Sequence, residues 1–200
     1  MRRSTTAAPG SATMLKAMLQ GALLALGLST ASAWAQAPAD GNLAVNVQKV
    51  GELVTIDASL AIAATPQEVW NVLTDFDHMA DFIHGLQSSK VVAKKGNVWR
   101  IAQKGVTTHA GFSIKFESLR DVTVQPVESV QSHLVSGTLK KHDTLTRLTA
   151  EGNGTRVTYH AESISGIWVP PLIGTSVVEG EVRKQFQDIQ TEIMKRKPAN

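Results

Sequence analysis

From Gln87 to Ser165 the apolar residues recur at every second position, segment after segment. SKVVAK, VWRIAQKG, FSIKFESLRDVTVQ, ESVQSHLVSG, DTLTRLTAEG and TRVTYHAESI are divided by turn signals such as Lys95-Gly96-Asn97 and Gly152-Asn153-Gly154. Six strands in meander order are expected, with one apolar face that needs a cover. The cover is supplied by the C-terminal stretch, where Val178, Val182, Phe186, Ile189 and Ile193 fall on one helical stripe. The prolines of VPPLIGTS end the preceding strand and pre-set the helix start. A long amphipathic helix must lie on something apolar, and the sheet is the only surface large enough. An α+β class follows.

The N-terminal side adds a strand and two short helices. GELVTIDASLAIAA alternates, with Val54, Ile56, Ala58, Leu60 and Ile62 on one face. TPQEVWNVL then carries a complete helix start: Thr65 as N-cap, Pro66 at the first helical position, and Glu68 as the partner of a capping box. Val69, Val72, Leu73 and Phe76 form its apolar stripe, and a second short helix is expected after Asp75. Residues 38–50 alternate weakly and are read as a linker or a short edge strand. The expected organisation is a signal segment over 1–35, a leader or linker over 36–50, and one ligand-binding domain over 51–196.

The first of these rests on Arg2, Arg3 and Lys16, the apolar run AMLQGALLALGL and the small residues that follow, the plan of a secretory signal peptide. Cleavage is expected after Ala33, Ala35 or Ala37, with Ala35 favoured because Pro38 disfavours a cut at Ala37. The net charge of +3 is a property of this leader, which has three basic side chains and no acidic one; 17 of each sign remain without it. No bulk basic footprint for nucleic acid is left. The apolar run is too short to span a bilayer, so no stable membrane anchor is expected after cleavage. With no cysteine, the exported chain would depend on its core alone. A periplasmic or secreted location is expected.

The order strand, helix, short helix, six strands, long final helix resembles the helix-grip plan of the SRPBCC or START-like superfamily, in its polyketide cyclase and coenzyme Q-binding branch. The residues that carry the resemblance are TPQEVWNVLTDFDHMADFIHGLQSSKVV (65–92), the Gly-Asn-Gly-Thr hairpin before VTYHAES, and the Pro-Pro entry to the last helix, within about residues 52 to 195. It implies a seven-stranded antiparallel sheet wrapped around the C-terminal helix and a cavity for an apolar or amphipathic molecule. The implied function is binding or carriage of a lipid, quinone or polyketide-like molecule. An aromatase/cyclase- or dehydratase-type enzyme using the same cavity is the alternative. These motifs are structural, so they specify fold better than activity.

Candidate chemistry was sought among the remaining polar residues. TDFDHMADFIHG concentrates Asp75, Asp77, His78, Asp81 and His84, residue types that bind metals and move protons. On a helical wheel the acids and histidines take one face while Met79, Phe82 and Ile83 take the other, so the expectation is a solvated polar face and an inward apolar one. The histidines are six apart rather than at i and i+4, and no metal site is assigned. His133 and His160 lie out of phase with the inward residues; His109 and His142 are placed near strand ends or loops. No nucleophile elbow, phosphate loop or dinucleotide fingerprint is present, so no catalytic residue and no cofactor are assigned.

Arg120 shares parity with Ile114, Phe116, Val122 and Val124, which puts an arginine on an otherwise apolar face. A regular strand would point it at a ligand carboxylate or phosphate; a bulge or bend would turn it outward. Trp70 and Trp99 are read as core or cavity rim. Gly180 interrupts the last helix, either for close contact with the sheet or for ligand space. The expected ligand-facing set is Phe82, Ile83, Ile114, Phe116, Arg120, Trp168, Val178 and Val182, around a hydrophobic small molecule or lipid as partner.

Overall fold

The computed structural model describes residues 42–109, 112–167 and 174–198. The expected signal segment with its cleavage positions, Trp168, and the Pro170-Pro171 entry to the last helix lie outside the described residues. In chain order the elements are β1 (Leu43–Val50), β2 (Leu53–Ile62), α1 (Pro66–Leu73), a 3-10 turn (Phe76–His78), α2 (Met79–Phe82), β3 (Leu86–Lys95), β4 (Val98–His109), β5 (Phe112–Gln125), β6 (Ser129–Gly137), β7 (Leu139–Glu151), β8 (Gly154–Ser165) and α3 (Thr175–Arg196).

The strands form one antiparallel sheet in the order β1-β2-β8-β7-β6-β5-β4-β3. Consecutive strands pair through hairpins except at β2, where α1 and α2 carry the chain to the far edge. The second strand, β2, therefore lies beside the last, β8. The six strands expected between Gln87 and Ser165 are β3 to β8. Seven strands in all were expected and eight are present, because Leu43–Val50 pairs along most of β2, from Leu43↔Leu60 to Val50↔Leu53. That segment is an edge strand of the domain, and the 36–50 leader is shortened accordingly. Most of β1 beyond Leu43 is only partly covered or exposed, which explains its weak alternation.

Thr65 caps α1 as expected: its hydroxyl accepts from the Glu68 N–H at 3.3 Å, while the Glu68 carboxylate accepts from the Thr65 N–H at 2.7 Å. Val69 and Val72 are buried beneath the helix. On the inner face of the sheet Ile56, Ala58, Leu60 and Ile62 from β2 meet Val157 and Ala161 from β8 and Leu148 from β7. Val182, Phe186 and Ile193 of α3 pack on this same cluster, so the last helix lies on the sheet as its stripe requires. Full burial of a side chain such as Leu60 contributes about 1.5–3 kcal/mol. A second cluster, Phe76, Ile101, Val122, Val124 and Val130, fills the β3–β6 side. Trp70 and Trp99 pack against it, and Trp99 meets Phe76 edge-on at 6.0 Å.

The segment TDFDHMADFIHG does not behave as one amphipathic helix. Its α-helical part is a single turn, Met79–Phe82, so the 100° wheel does not carry through to His84. Asp75 accepts hydrogen bonds from His78 at 2.6 Å and from Arg196 of α3 at 2.7 Å. Asp77 accepts from the Val91 N–H of β3 at 3.0 Å. His84 approaches Asp188 of α3 at 2.6 Å through Nδ1 and Glu181 at 3.3 Å through Nε2. Asp81 is exposed. Most of the polar residues thus fasten the segment to α3 and β3, where a solvated face was expected.

Candidate functional site

Between the inner face of the sheet and α3 lies a cavity of about 540 Å³. Its wall is mostly apolar: Ile114 and Phe116 of β5, Ile83 and Met79 from the segment before β3, and Val178, Val182, Phe186 and Ile189 of α3. Among the expected ligand-facing residues Ile83, Ile114, Phe116, Arg120, Val178 and Val182 line it. Phe82 does not. Its ring packs against the main core and lies beneath the Arg196 guanidinium, 5.4 Å from centroid to carbon, because the single turn of α2 aims it at α3. Trp168 lies outside the described residues.

Two glycines shape the wall. At Gly105 of β4 an added Cβ would stand 2.4 Å from the Phe116 ring and 2.4 Å from the Gly85 carbonyl oxygen, so only a hydrogen lets these groups approach. Gly85 itself has a φ of +75°, at the bend that leads from α2 into β3. At Gly180 an added Cβ would meet nothing among the described residues within 4 Å. Close contact with the sheet is therefore not its reason.

Arg120 faces the cavity. A bulge is present beside it, as one reading expected, but the extra residue, Val135, is on β6: Leu119 pairs with Ser136 and Arg120 with Leu134. β5 keeps its phase, and its arginine stays on the inner face. Arg120 Nη1 donates to the Ser132 hydroxyl at 3.5 Å and Nη2 donates to the Gln103 carbonyl oxygen. Gln103 in turn donates to Ser89 at 3.0 Å. Ser89 and Ser132 are both buried, so a polar chain runs across β3, β4, β5 and β6 beneath the cavity. Arg120 Nε is shut off from solvent and meets no acceptor among the described residues. Burial pulls the guanidinium below its usual pKa, but an arginine keeps its proton.

Two further titratable groups stand on the wall. Tyr159 of β8 lines the cavity and meets Phe186 edge-on at 5.7 Å. Burial pushes its phenol up to about 12, with Arg120 acting in the opposite sense. His142 lies inside β7 rather than in a loop; its Nδ1 stands 2.8 Å from the Ser163 hydroxyl. Burial, reinforced by the nearby Arg120 charge, pushes it down to about 4, so it is a neutral base at ordinary pH. Tyr159 had a readable signal, since it shares parity with Val157 and Ala161. His142 had none, because its inward neighbours on β7 are Thr144 and Thr146. His133 and His160 stand on the outer face, paired with Asp143 and Asp57.

Two carboxylates line the wall, Glu117 of β5, which is exposed and pairs with Lys104, and Glu181 of α3. Glu181 accepts from Thr107 of β4 at 3.1 Å, from His84 at 3.3 Å and from Lys184 at 2.9 Å. Burial raises its pKa, but the hydrogen bonds from Lys184, His84 and Thr107 outweigh it and hold the carboxyl below its usual value. Among the described residues no group of three His, Cys, Asp or Glu is placed to hold a metal ion.

Solved structures share this architecture. The STAR-related lipid transfer protein from Xanthomonas axonopodis matches with a TM-score of 0.68 at 13% identity, over 80% of this chain and 98% of that one. A START superfamily protein from Mycobacterium smegmatis matches at 0.60 and 11% identity, over 72% and 99%. The Zhui aromatase/cyclase from Streptomyces sp. R1128 matches at 0.58 and 13% identity, over 74% and 97%. At these identities the likeness is one of fold. No curated protein sequence matches the chain. Residues 62–190 match the family described as polyketide cyclase / dehydrase and lipid transport, a span that runs from the end of β2 through the cavity wall into α3. With the START-like fold built around that cavity, the chain belongs to this family, within the SRPBCC superfamily.

Proposed function

We propose that the protein is exported and encloses a hydrophobic or amphipathic small molecule, a lipid, quinone or polyketide-like compound, between its sheet and α3. The observation that carries this reading is the cavity itself: about 540 Å³, within the usual range for small-molecule sites, with an apolar wall and a few polar groups. Burial of apolar ligand area, at about 25 cal/mol per Å², would supply most of the affinity. The family description and the lipid transfer protein among the structural neighbours support the same class of ligand. The leader supports export to the periplasm or beyond. Organic extraction of the protein purified from its native compartment, followed by mass spectrometry, is expected to return a stoichiometric apolar compound. Repeated absence of one, with no binding to a panel of lipids, quinones and polyketides, would sink the reading.

A specific observation keeps a second reading open. Arg120, His142 and Tyr159 share one wall, near enough that the arginine's charge acts on both the other groups. In a cyclase- or dehydratase-type reaction Arg120 would polarise a carbonyl and neutral His142 would take a proton. The Zhui aromatase/cyclase among the neighbours supports this alternative by fold alone. Turnover of poly-β-keto thioester mimics that is lost in His142→Gln with ligand affinity retained would establish it; unchanged compound after prolonged incubation would remove it.

A further inference from the structure

A buried guanidinium with no counter-charge is costly unless something completes it. Arg120 is such a group. Two of its five N–H donors are used, on the neutral acceptors of Ser132 and Gln103. Its Nε has no acceptor, and among the described residues no carboxylate pairs with it. Of the two carboxylates on the cavity wall, Glu181 is occupied by Thr107, His84 and Lys184, and the exposed Glu117 pairs with Lys104. His142, beside Arg120, supplies no negative charge, and Tyr159 is a neutral phenol. The polar chain Ser89–Gln103–Arg120–Ser132 holds the guanidinium at one place in an otherwise apolar wall.

We infer that the enclosed ligand is an anionic amphiphile with one apolar tail, whose carboxylate is received by Arg120. This deepens the binding role proposed above and rests on it. The tail count follows from size: about 540 Å³ falls in the middle of the range of roughly 300–1,000 Å³ usual for small-molecule sites, the size of one long chain or a compact ring system. The head charge follows from the arginine, whose planar fork matches a carboxylate in two parallel hydrogen bonds. Neutral lipids of equal tail would leave the Nε unpaired and the charge buried. Specificity for the head thus comes from a group that is unsatisfied without it.

The test compares hexadecanoate, hexadecanol, hexadecyl phosphate and hexadecyltrimethylammonium as competitors of a neutral fluorescent probe, N-phenyl-1-naphthylamine, on the purified protein. Hexadecanoate is expected to bind at least roughly tenfold tighter than hexadecanol, the worth of a charge-assisted hydrogen bond, and the cation to bind worst. Arg120→Gln should abolish that preference, read as the ratio of hexadecanoate to hexadecanol affinity within the variant. Equal binding of acid and alcohol by the unaltered protein overturns the inference and leaves the cavity reading standing. A preference for hexadecyl phosphate over the carboxylate overturns the assignment of head group. Failure of every compound, the neutral probe included, overturns both readings. The comparison of heads on the unaltered protein stands even if the variant does not fold.

Discussion

His142 gives the cavity wall a measurable pH signature. The unfolded chain takes up a proton near 6.5, whereas the folded site resists until about 4, so between those values the unfolded state binds more protons. The stability this neutral histidine contributes is complete above 6.5 and is lost as the pH falls toward 4. Thermal midpoints are expected to fall across that window, and His142→Gln should flatten the fall; an unchanged slope in the variant would mean that the imidazole is not buried as described. The residue scale is also where reading the chain was least complete. Arg120, Ile114 and Phe116 were legible because β5 alternates without interruption, its bulge residue being Val135 on β6. His142 was not, because threonines beside it erase the contrast between inner and outer face. Phe82, expected on the cavity, is the last residue of a helix only four residues long and packs instead against the main core beneath Arg196.

At the scale of elements, α1 and α3 contrast. The cap of α1 is complete, and Thr65→Ala, which removes the hydroxyl side of the box, is expected to cost about 1 kcal/mol of stability in chemical denaturation. α3 carries a glycine with open space around it, so Gly180→Ala is expected to add up to about 1 kcal/mol with ligand affinity unchanged. Gly180 is not among the residues that line the cavity, and a loss of affinity in that variant would establish the second explanation, space reserved for the ligand. Elements whose signal is local were readable: the capping box, the turn at Gly152-Asn153-Gly154, the stripe of Val182, Phe186 and Ile193. β1 was read only as a linker or short edge strand because an edge strand needs one neighbour, and most of its length is not deeply covered. What positions the TDFDHMADFIHG segment was hidden for a different reason. Asp75 and His84 find their partners more than a hundred residues away on α3, and no short-range pattern encodes such a pairing.

For the molecule as a whole, the chain contains no cysteine, so its stability comes from packing and hydrogen bonding and is expected to be indifferent to reductant. Ligand binding adds to it by mass action: a compound present at a hundred times its dissociation constant should raise the unfolding free energy by about 2.7 kcal/mol, readable as an upward shift in midpoint. A compound that displaces the fluorescent probe without shifting the midpoint is not bound in the cavity. α3 closes that cavity, and its fastenings differ along its length. Toward β2 and β8 it is held by Phe186 and Ile193 in the core; toward β4 and the end of α2 it is held by Glu181 and Asp188, which grip Thr107 and His84 at partly exposed positions. Salt leaves the first kind of contact intact and weakens the second. Residence time therefore becomes a property of the surrounding medium: stopped-flow release of the neutral probe should quicken with ionic strength, and most of that dependence should vanish in His84→Ala.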